Sequence, residues 1–480
     1  MLLFLCLAFQ SAPAAPALTI TEGLVPFQVL QRGPDNTAAP TLKGQSSAAG
    51  TVAVRVARGD DASFLIDRAP VGEAKDGSFT LHLPAIPAGG PYRLTVHVVG
   101  ADGKELATTA LEPFFVGDLW LLTGQSNMEG VGDMVDVETP DPMVMCFESR
   151  ERWARAEEPL HWLAESPDVV HWTFPPEERE ARIAERRKNR PKGAGLGLSF
   201  GKEMVRLTKV PVGLVPCAHG GTSMEQWNPA RAAEEGKSLY GSMLRRFRAV
   251  GGRVRGVLWY QGESDALAGK PEVVAAYAAR FEELIAAMRK DCGDAELPFL
   301  YAQLCRLTDP KRTGEGWNLV QEVQRTLPDR VKRVACIPTI DLPMDDAIHV
   351  GTPGLRRLGA RFARQAARLL GAAGLDTGPR LKTVVPEAQF RIRLVFEGVH
   401  GRLLPARNIG GFTLLVDGKP QDWIYDASVD PARPAEVVLR MRDKLPEKAT
   451  LWYGFGLMPY CNLVDEADQA APVFGPLVVR

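Results

Sequence analysis

The residues best suited to chemistry are a serine early in the central part of the chain and an Asp-x-x-His pair far downstream. Ser126 follows a short apolar run, Leu119–Thr123, that ends at Gly124. A buried strand with this ending delivers a side chain to the carboxyl end of a sheet, where open α/β folds bind ligands. Asp346 lies three residues before His349, so a single turn of loop lets the carboxylate orient the imidazole. The pattern predicts a serine nucleophile with a base and an orienting acid.

The loop that carries His349 is followed at once by a predicted helix. Thr352 and Pro353 have the residue types of an N-cap and a first helical position. Apolar residues then recur at helical spacing, and Gly371 ends the pattern. The apolar stripe consists of Leu355, Leu358, Phe362 and Leu369. We therefore expect the loop to be held against a helix.

Strand-like runs alternate with amphipathic stretches between residues 116 and 373, which predicts an α/β domain with a parallel sheet and helices on both faces. The predicted strands are Leu119–Thr123, Val212–Pro216, Gly256–Tyr260, Phe299–Leu304 and Val334–Ile340. The predicted helices are Leu198–Thr208, Leu239–Val250 and Val273–Arg289. A further charged stretch at 181–190 predicts a solvated helix.

Short alternating runs separated by Gly, Pro and Asp predict β structure on either side of this domain. Residues 18–115, with Thr51–Val56 and Tyr92–Val99, predict a β-sandwich-like module. Residues 374–480 predict a C-terminal β module. Its expected strands are Ile392–Phe396, Phe412–Val416, Val437–Met441 and Ala449–Gly454.

Composition narrows the classes of function. The 480 residues carry a formal net charge of −1, and no long basic run is present, which argues against binding nucleic acid or an anionic membrane. After residue 17 no apolar run reaches the length of a membrane span. The cysteines are scattered without close metal-ligand pairs, so we expect free buried thiols, no metal and no cofactor. No obligate protein partner is evident.

The N-terminus has the pattern of a secretory signal. The apolar block Met1–Phe9 is followed by two Ala-Pro-Ala triplets that suit signal-peptidase cleavage. We therefore assign residues 1–17 as a signal peptide and expect a secreted or periplasmic protein.

Four ordered blocks give the chain a family resemblance. They are Gly124-Gln125-Ser126-Asn127-Met128, Gly220-Gly221-Thr222-Ser223-Met224-Glu225-Gln226-Trp227, Trp259-Tyr260-Gln261-Gly262-Glu263-Ser264-Asp265 and Asp346-Ala347-Ile348-His349. With these blocks the chain resembles the SGNH/GDSL hydrolases, in particular their sialate O-acetylesterase-like (SASA) branch. The resemblance implies a flavodoxin-like three-layer catalytic domain at 116–373, flanked by the two β modules. The Gly-x-Ser-x-Gly elbow of α/β-hydrolases is absent, since Met128 occupies its last position.

The resemblance also implies roles for individual residues. Ser126, His349 and Asp346 are the implied triad, and the family spacing selects Asp346 over the neighbouring Asp345. The implied oxyanion hole consists of the backbone N–H groups of Ser126 and Gly221 and the side-chain amide of Gln261. Further substrate-binding or loop-orienting residues are Gln125, Gly220 and Glu263. His219 is the competing histidine, for which a structural or substrate-contacting role is expected.

The expected activity is removal of O-acetyl groups from carbohydrate by a serine esterase. Sialic acid is the sugar that the resemblance implies, and Arg231 or Arg306 would be candidates to bind its carboxylate. Acetylxylan is the alternative substrate, because the same four blocks serve both activities. A non-catalytic carbohydrate-binding protein on the same fold is the alternative of another class. The motifs themselves do not separate these possibilities.

Overall fold

The computed structural model describes residues 17–59, 63–309, 311, 315–388, 390–446 and 448–479. Within them the chain forms two compact units, one ending at Val116 and the other beginning at Gly117. The segment assigned as a signal peptide lies almost wholly outside the described residues. Among the described helices, none combines the length and apolar character needed to cross a membrane.

The described part of the first unit is built of β-strands. They are β1 (Leu18–Glu22), β2 (Val29–Gln31), β3 (Thr37–Ala38), β4 (Thr41–Ser46), β5 (Gly50–Arg58), β6 (Phe64–Ala74), β7 (Ser78–His82), β8 (Ile86–Pro87), β9 (Gly89–Val99) and the first part of β10 (Glu105–Gly124). One antiparallel sheet has the order β1-β4-β7, and another runs β6-β5-β9-β10. Alternate residues of β4 are buried, and Leu42 pairs with Leu81 of β7 in the core.

The second unit is organised around a sheet that contains the remainder of β10. The other elements of this region are β11 (Gly132–Asp133), β12 (Val144–Phe147), β13 (Trp153–Arg155), β14 (Lys192–Ala194), β15 (Val212–Pro216), β16 (Gly256–Tyr260), β17 (Phe299–Ala302) and β18 (Val334–Ile337). The strand order is β13-β12-β15-β10-β16-β17-β18. All neighbours are parallel except β13, which pairs antiparallel with β12. β10 is central, and Trp120 is level with Leu214 on one side and Gly256 on the other.

Eight α-helices connect or follow these strands in the described part of the unit. They are α1 (Ser126–Glu129), α2 (Arg179–Lys188), α3 (Gly197–Thr208), α4 (Leu239–Ala249), α5 (Glu263–Ala266), α6 (Pro271–Asp291), α7 (Glu315–Thr326) and α8 (Thr352–Leu369). Every residue of β15, β16 and β17 is buried, as expected for continuous apolar strands of a parallel sheet. α3 and α8 pack closely, since a Cβ on Gly359 would lie 2.5 Å from the carbonyl oxygen of Leu196.

The C-terminal strands belong to the same compact unit as the parallel sheet. They are β19 (Arg380–Glu387), β20 (Arg391–Glu397), β21 (Leu403–Leu404), β22 (Phe412–Val416), β23 (Lys419–Gln421), β24 (Ile424–Asp430), β25 (Arg433–Met441), β26 (Thr450–Tyr453), β27 (Val464–Asp465) and β28 (Phe474–Val478). Two four-stranded antiparallel sheets have the orders β19-β20-β25-β24 and β23-β22-β26-β28. Leu394, Leu439 and Leu451 lie in their shared core. That residues 374–480 form a separate module stays a prediction.

Most predicted elements are confirmed, but several boundaries are wrong. β17 ends at Ala302 instead of Leu304, β18 ends at Ile337 instead of Ile340, and the strand predicted at Leu119–Thr123 is the last part of the longer β10. β15 and β16 match the prediction at both ends, and α2 is the charged helix, with no buried residue. Thr352, however, is not the N-cap of α8 but its first residue, and Gly351 precedes it as the cap. The reason is that the Thr352 hydroxyl donates to the carbonyl of Asp133 (2.5 Å), while its N–H donates to Asp345 Oδ2 (3.0 Å).

The described cysteines are all free. Cys146, Cys217, Cys305 and Cys461 are buried, and Cys292 and Cys336 are partly buried. Burial raises the pKa of the Cys217 thiol to about 11, so this side chain behaves as a small apolar group.

Candidate active site

Ser126 stands where β10 ends and α1 begins. Gly124 has φ +124°, and a Cβ there would lie 2.2 Å from the carbonyl oxygen of Tyr260, so this position requires glycine. The close approach allows Gln125 N–H to donate to that carbonyl at 2.8 Å, which continues the pairing of β10 with β16. The chain then turns at once into the helix that starts with Ser126. The serine is thereby fixed at the carboxyl end of the central strand.

The loop that carries His349 is a tight turn closed by Asp346. Asp346 Oδ1 accepts the backbone N–H groups of Ile348 (3.0 Å) and His349 (2.9 Å). Asp345 N–H donates to the carbonyl of His349 at 3.1 Å, and Met344 forms a β-bridge with Val350. The turn therefore fixes both the carboxylate and the imidazole.

The two segments bring Ser126, His349 and Asp346 into a linear array. Nδ1 of His349 lies 3.0 Å from Oδ1 and 2.9 Å from Oδ2 of Asp346, and Nε2 lies 3.0 Å from Ser126 Oγ. Because a carboxylate can only accept, the Nδ1–H donates to Asp346, and Nε2 is left to accept the serine hydroxyl proton. This is the geometry required of a base beside a serine nucleophile.

Asp346 is held in its ionised form. Partial burial acts to raise the pKa of this carboxyl, but hydrogen bonds from Ile348 N–H, the His349 ring and His349 N–H outweigh burial. Together they bring the pKa well below its usual range. Lys192 also contacts this carboxylate, with Nζ 3.2 Å from Asp346 Oδ2. An ionised carboxylate is the form that can accept from the imidazole and stabilise its cation.

The two competing residues lie in other arrangements. Asp345 Oδ2 accepts the N–H of Asp133 at 2.8 Å and that of Thr352, so it ties the loop to β11 and α8 rather than to His349. His219 is buried and stacks on His171, with the two Nδ1 atoms 3.2 Å apart. Burial lowers the pKa of His219 to about 4. Its geometry suits a structural role.

The glycine pair of the second block lies beside the serine. A Cβ on Gly220 would be 3.4 Å from Ser126 Cβ, and its N–H donates to Glu129 Oε2 at 2.8 Å. Gly221 has φ +70°, the left-handed region that favours glycine. Among the described residues, the N–H groups of Ser126 and Gly221 have no hydrogen-bond acceptor. These two donors are available to a substrate oxygen.

Gln261 is placed differently from the two backbone donors. Its side chain is fully buried, and Nε2 donates to the carbonyl of Thr222 (3.1 Å) and to Asp265 Oδ2 (2.5 Å). Asp265 also accepts the N–H of Met224 at 3.0 Å. Both amide protons of Gln261 are therefore used to hold the second block against the third. A direct contact between this amide and a substrate oxygen stays a prediction.

Glu263 and Asn127 are hydrogen-bonded to each other in the protein interior, and of the two only Glu263 was predicted from the sequence. Asn127 Nδ2 donates to Glu263 Oε1 (2.8 Å), and Asn127 Oδ1 accepts the N–H of Val350 (2.9 Å). With its amide nitrogen facing the carboxylate, Gln125 also donates to Glu263 Oε2 at 3.1 Å. Burial raises the pKa of Glu263 to about 7, although the Asn127 bond opposes this. Glu263 is thus connected to the His349 loop through Asn127, and its role in orienting a loop stays a prediction.

Three contributors to the site were missed by sequence reasoning. Asn127 belongs to the first of the four sequence blocks, and its position next to Ser126 could have indicated its role. Glu129 is close in sequence but was not distinguished from an ordinary helical residue. Lys192 follows the charged stretch, and nothing in its sequence context indicated proximity to Asp346. Among the described residues, no group of three or more His, Cys, Asp or Glu side chains is arranged to hold a metal ion.

A parallel sheet that presents a serine, an imidazole and a carboxylate in hydrogen-bond contact defines a hydrolase-like site. Residues 116–368 match the family model of the SASA carbohydrate esterases, described as sialic acid-specific acetylesterase. Because this match spans more than half of the chain, the protein belongs to that carbohydrate esterase family. Membership identifies it as a hydrolase that acts on esters.

The chain is also similar to individual proteins. A probable carbohydrate esterase of Arabidopsis thaliana is 27% identical over 288 residues, which is 55% of this chain and 94% of the plant protein. The crystal structure of a carbohydrate acetylesterase from Xanthomonas citri superposes with a TM-score of 0.62 at 24% identity. That match covers 94% of this chain and 99% of the other. At this identity the likeness shows that the fold is shared.

Proposed function

We propose that the chain is a serine acetylesterase that removes O-acetyl groups from carbohydrate, with Ser126, His349 and Asp346 as its catalytic residues. The observation that carries the proposal is the pair of contacts made by His349, at 3.0 Å to Ser126 Oγ and 2.9 Å to Asp346 Oδ2. The carbohydrate esterase family and the acetylesterase activity named for the Xanthomonas relative support the choice of an acetyl ester.

The proposed reaction follows from the different partners of the two ring nitrogens of His349. Nε2 takes the proton of Ser126 as Oγ attacks the acetyl carbonyl carbon, and the new imidazolium is stabilised by Asp346. The tetrahedral intermediate collapses when the C–O bond to the sugar breaks, and Nε2–H gives its proton to the leaving sugar oxygen. Water, deprotonated by His349, then attacks the acetyl-serine and releases acetate and free Ser126. Each proton taken from a nucleophile is returned to a leaving oxygen.

The negative oxygen of the intermediate requires donors that are not already in use. The N–H groups of Ser126 and Gly221 meet this requirement within the described residues. Gln261 would be the third donor only if its amide released the Thr222 carbonyl or Asp265. Gln125, Gly220 and Glu263 are proposed to shape the surrounding loops.

Sialic acid is the first candidate sugar, because the family description names it. Its carboxylate would require a cation, for which Arg231 and Arg306 are the candidates from the sequence. Arg231 forms two hydrogen bonds with Glu234, both 2.8 Å, and Arg306 donates to the carbonyl of Leu342 at 2.7 Å, while its buried Nε has no hydrogen-bond partner among the described residues. A neutral acetylated sugar, as in acetylxylan, is the second candidate.

Two further parts of the sequence-based picture are carried forward as proposals. The strand order β15-β10-β16-β17-β18 supports a flavodoxin-like three-layer SGNH domain flanked by β modules. The apolar N-terminal block supports export of the protein, with residues 1–17 removed.

The test is acetate release from an activated acetyl ester by wild type, Ser126→Ala and Ser428→Ala. Ser428 is a partly buried serine of β24 that hydrogen-bonds to Asp426, so it controls for loss of a hydroxyl. We expect Ser126→Ala to lose at least about a thousandfold in kcat and Ser428→Ala to keep full activity. Equal activity of wild type and Ser126→Ala would exclude Ser126 as the nucleophile.

Two substrate comparisons complete the experiment. Wild type is expected to prefer acetyl over butyryl and longer esters, and a preference for long chains would contradict the carbohydrate acetylesterase proposal. O-acetylated sialic acid and acetylated xylan are then compared by kcat/KM to choose between the two sugars. A wild-type protein that binds these sugars but hydrolyses no acetyl ester would instead be a binding protein on this fold.

A further inference from the structure

Lys192 contacts the triad but has no part in the mechanism described above. It is the first residue of β14, which pairs antiparallel with β11, and Asp133 is its register partner. This ribbon places Lys192 Nζ 3.2 Å from Asp133 Oδ1 and 3.2 Å from Asp346 Oδ2. The ammonium is therefore positioned by a strand pair and held between two carboxylates.

The oxygen that Lys192 contacts is also the closest one to His349. Oδ2 of Asp346 lies 2.9 Å from His349 Nδ1 and 3.2 Å from Lys192 Nζ. The ammonium and the ring nitrogen are thus at most about 6 Å apart, close enough for two positive charges to repel measurably. A single carboxylate group has to satisfy both cations when the imidazole is protonated.

We propose that Lys192 is a positioning residue that limits how strongly Asp346 stabilises the His349 cation, and so extends activity toward lower pH. The inference rests on the proposed function of His349 as the base. The Lys192 ammonium repels the imidazolium of His349, so it favours the neutral imidazole that accepts the serine proton. Lys192 also bonds to the same oxygen of Asp346 as the imidazole does.

The other charged groups near the dyad have partners of their own. Asp345 is engaged by the N–H groups of Asp133 and Thr352. On adjoining elements, Glu129 of α1 is bonded to Gly220, and Glu263 of α5 to Asn127. Asp265 of α5 accepts from Gln261 and Met224, and Arg190 donates to the carbonyls of His161 and Lys192. Arg356 and Arg357 of α8 bond to Glu138 and Asp468. Among the described lysines and arginines, only Lys192 forms an ion pair with Asp346.

Lys192 keeps its charge throughout the relevant range. Burial acts to lower the pKa of this amine, but hydrogen bonds to Asp133 and Asp346 outweigh burial and raise it. The side chain is 40% exposed, so solvent weakens its effect on His349 without removing it. For a pair of charges at this separation and exposure, removing one is expected to move the titration of the other by about 0.5 to 1 pH unit.

The first experiment compares the pH profiles of kcat/KM for wild type, Lys192→Met and Lys192→Arg on an activated acetyl ester. The acid limb is the part of the profile where kcat/KM falls as the pH decreases. In Lys192→Met this limb should move to higher pH by about 0.5 to 1 pH unit, so kcat/KM should be about three- to tenfold lower than in wild type at pH values below the limb. Lys192→Arg restores the charge and should return the limb toward its wild-type position. An acid limb that is unmoved or lower in Lys192→Met would overturn the proposal, as would a uniform loss at every pH.

A matched control comes from another partly buried lysine. Lys202 of α3 donates to Glu138 Oε1 at 2.6 Å, and Lys202→Met therefore removes an ion pair of comparable type away from Asp346. Its acid limb should coincide with that of wild type. A limb that shifts equally in both variants would show a general effect of net charge and contradict the specific role of Lys192.

A second measurement keeps this inference separable from the proposed function. The His349 imidazole is titrated by NMR in wild type and Lys192→Met, with its resonance identified by its loss in His349→Gln. The titration midpoint should rise in Lys192→Met whether or not His349 is the base. If Ser126→Ala remains active, the proposed function fails; if the midpoint does not rise, the Lys192 inference fails.

Discussion

Asn127→Ala removes the side chain that connects three parts of the candidate site. The wild-type amide donates to Glu263 Oε1 at 2.8 Å and accepts the N–H of Val350 at 2.9 Å, one residue after His349. It also reaches the carbonyl of Ile348 at 3.4 Å. Asn127 and Val350 are buried, so water cannot simply replace the missing groups. The change acts on the support of the imidazole without touching Ser126 Oγ.

The expected loss can be estimated from these contacts. Leaving the Val350 N–H without an acceptor costs about 1–3 kcal/mol, and removing a donor to the buried Glu263 carboxyl costs a further ~1.5–3 kcal/mol. Allowing for relaxation, we expect the free energy of unfolding to fall by about 2–5 kcal/mol. Because an imidazole displaced by about 1 Å loses about a hundredfold in rate, kcat/KM should fall by roughly that factor.

The assay pairs kcat/KM on an activated acetyl ester with urea unfolding, and Asn318→Ala is the control. Asn318 is also a buried asparagine that accepts a backbone N–H, from Gly456 at 2.8 Å, and donates to backbone carbonyls. We expect this control to lose about 1–3 kcal/mol of stability but less than about threefold in kcat/KM. Equal losses of activity in the two variants, measured where both are fully folded, would refute the specific support of His349 by Asn127.

Two other carboxyl groups give simpler tests. Glu129→Ala removes the acceptor of the Gly220 N–H and should lower kcat/KM by about tenfold or more. Glu129→Gln can still accept this hydrogen bond, so its kcat/KM should fall less. Equal losses in the two variants would contradict this role of Glu129. Glu263→Gln removes a group whose pKa is raised in the folded state to about 7. Since a raised carboxyl pKa makes the folded state bind more protons than the unfolded state, wild type should lose stability relative to this variant as pH rises from about 4.5 to 7. Urea titrations of both proteins across this range should show that difference, and parallel curves would count against it.

The strands of the parallel sheet could be predicted because their residues are apolar throughout and their ends carry turn residues. β15 and β16 are surrounded by protein, so burial and local sequence indicate the same element. The start of α8 was predicted less well, because the local preference of Thr352 for capping competes with tertiary partners. Its hydroxyl and N–H are taken by Asp133 and Asp345, which lie in other segments.

The contact between Asp346 and His349 was accessible from the sequence because both residues share one turn of loop. Their contact with Ser126 depends on the strand order, which the four ordered blocks implied only through family resemblance. The positions of Asn127 and Lys192 at the site could not be predicted from the sequence. An asparagine beside a serine and a lysine after a charged helix are both common on protein surfaces, and only the register of β11 with β14 brings Lys192 to Asp346.

The two carboxyl groups around the His349 loop differ because their solvent exposure and donors differ. Asp346 is 35% exposed and receives two backbone N–H groups and the imidazole, so its charged form is stabilised where a cation must appear. Glu263 is 2% exposed, and burial raises its pKa to about 7. Either protonation state of Glu263 can still accept from Asn127, since a protonated carboxyl keeps an acceptor oxygen. A residue that accepts hydrogen bonds in either protonation state can therefore lie deeper than one that remains charged, which agrees with the proposed role of Asp346 as the orienting acid in the loop and with the place of Glu263 in the core.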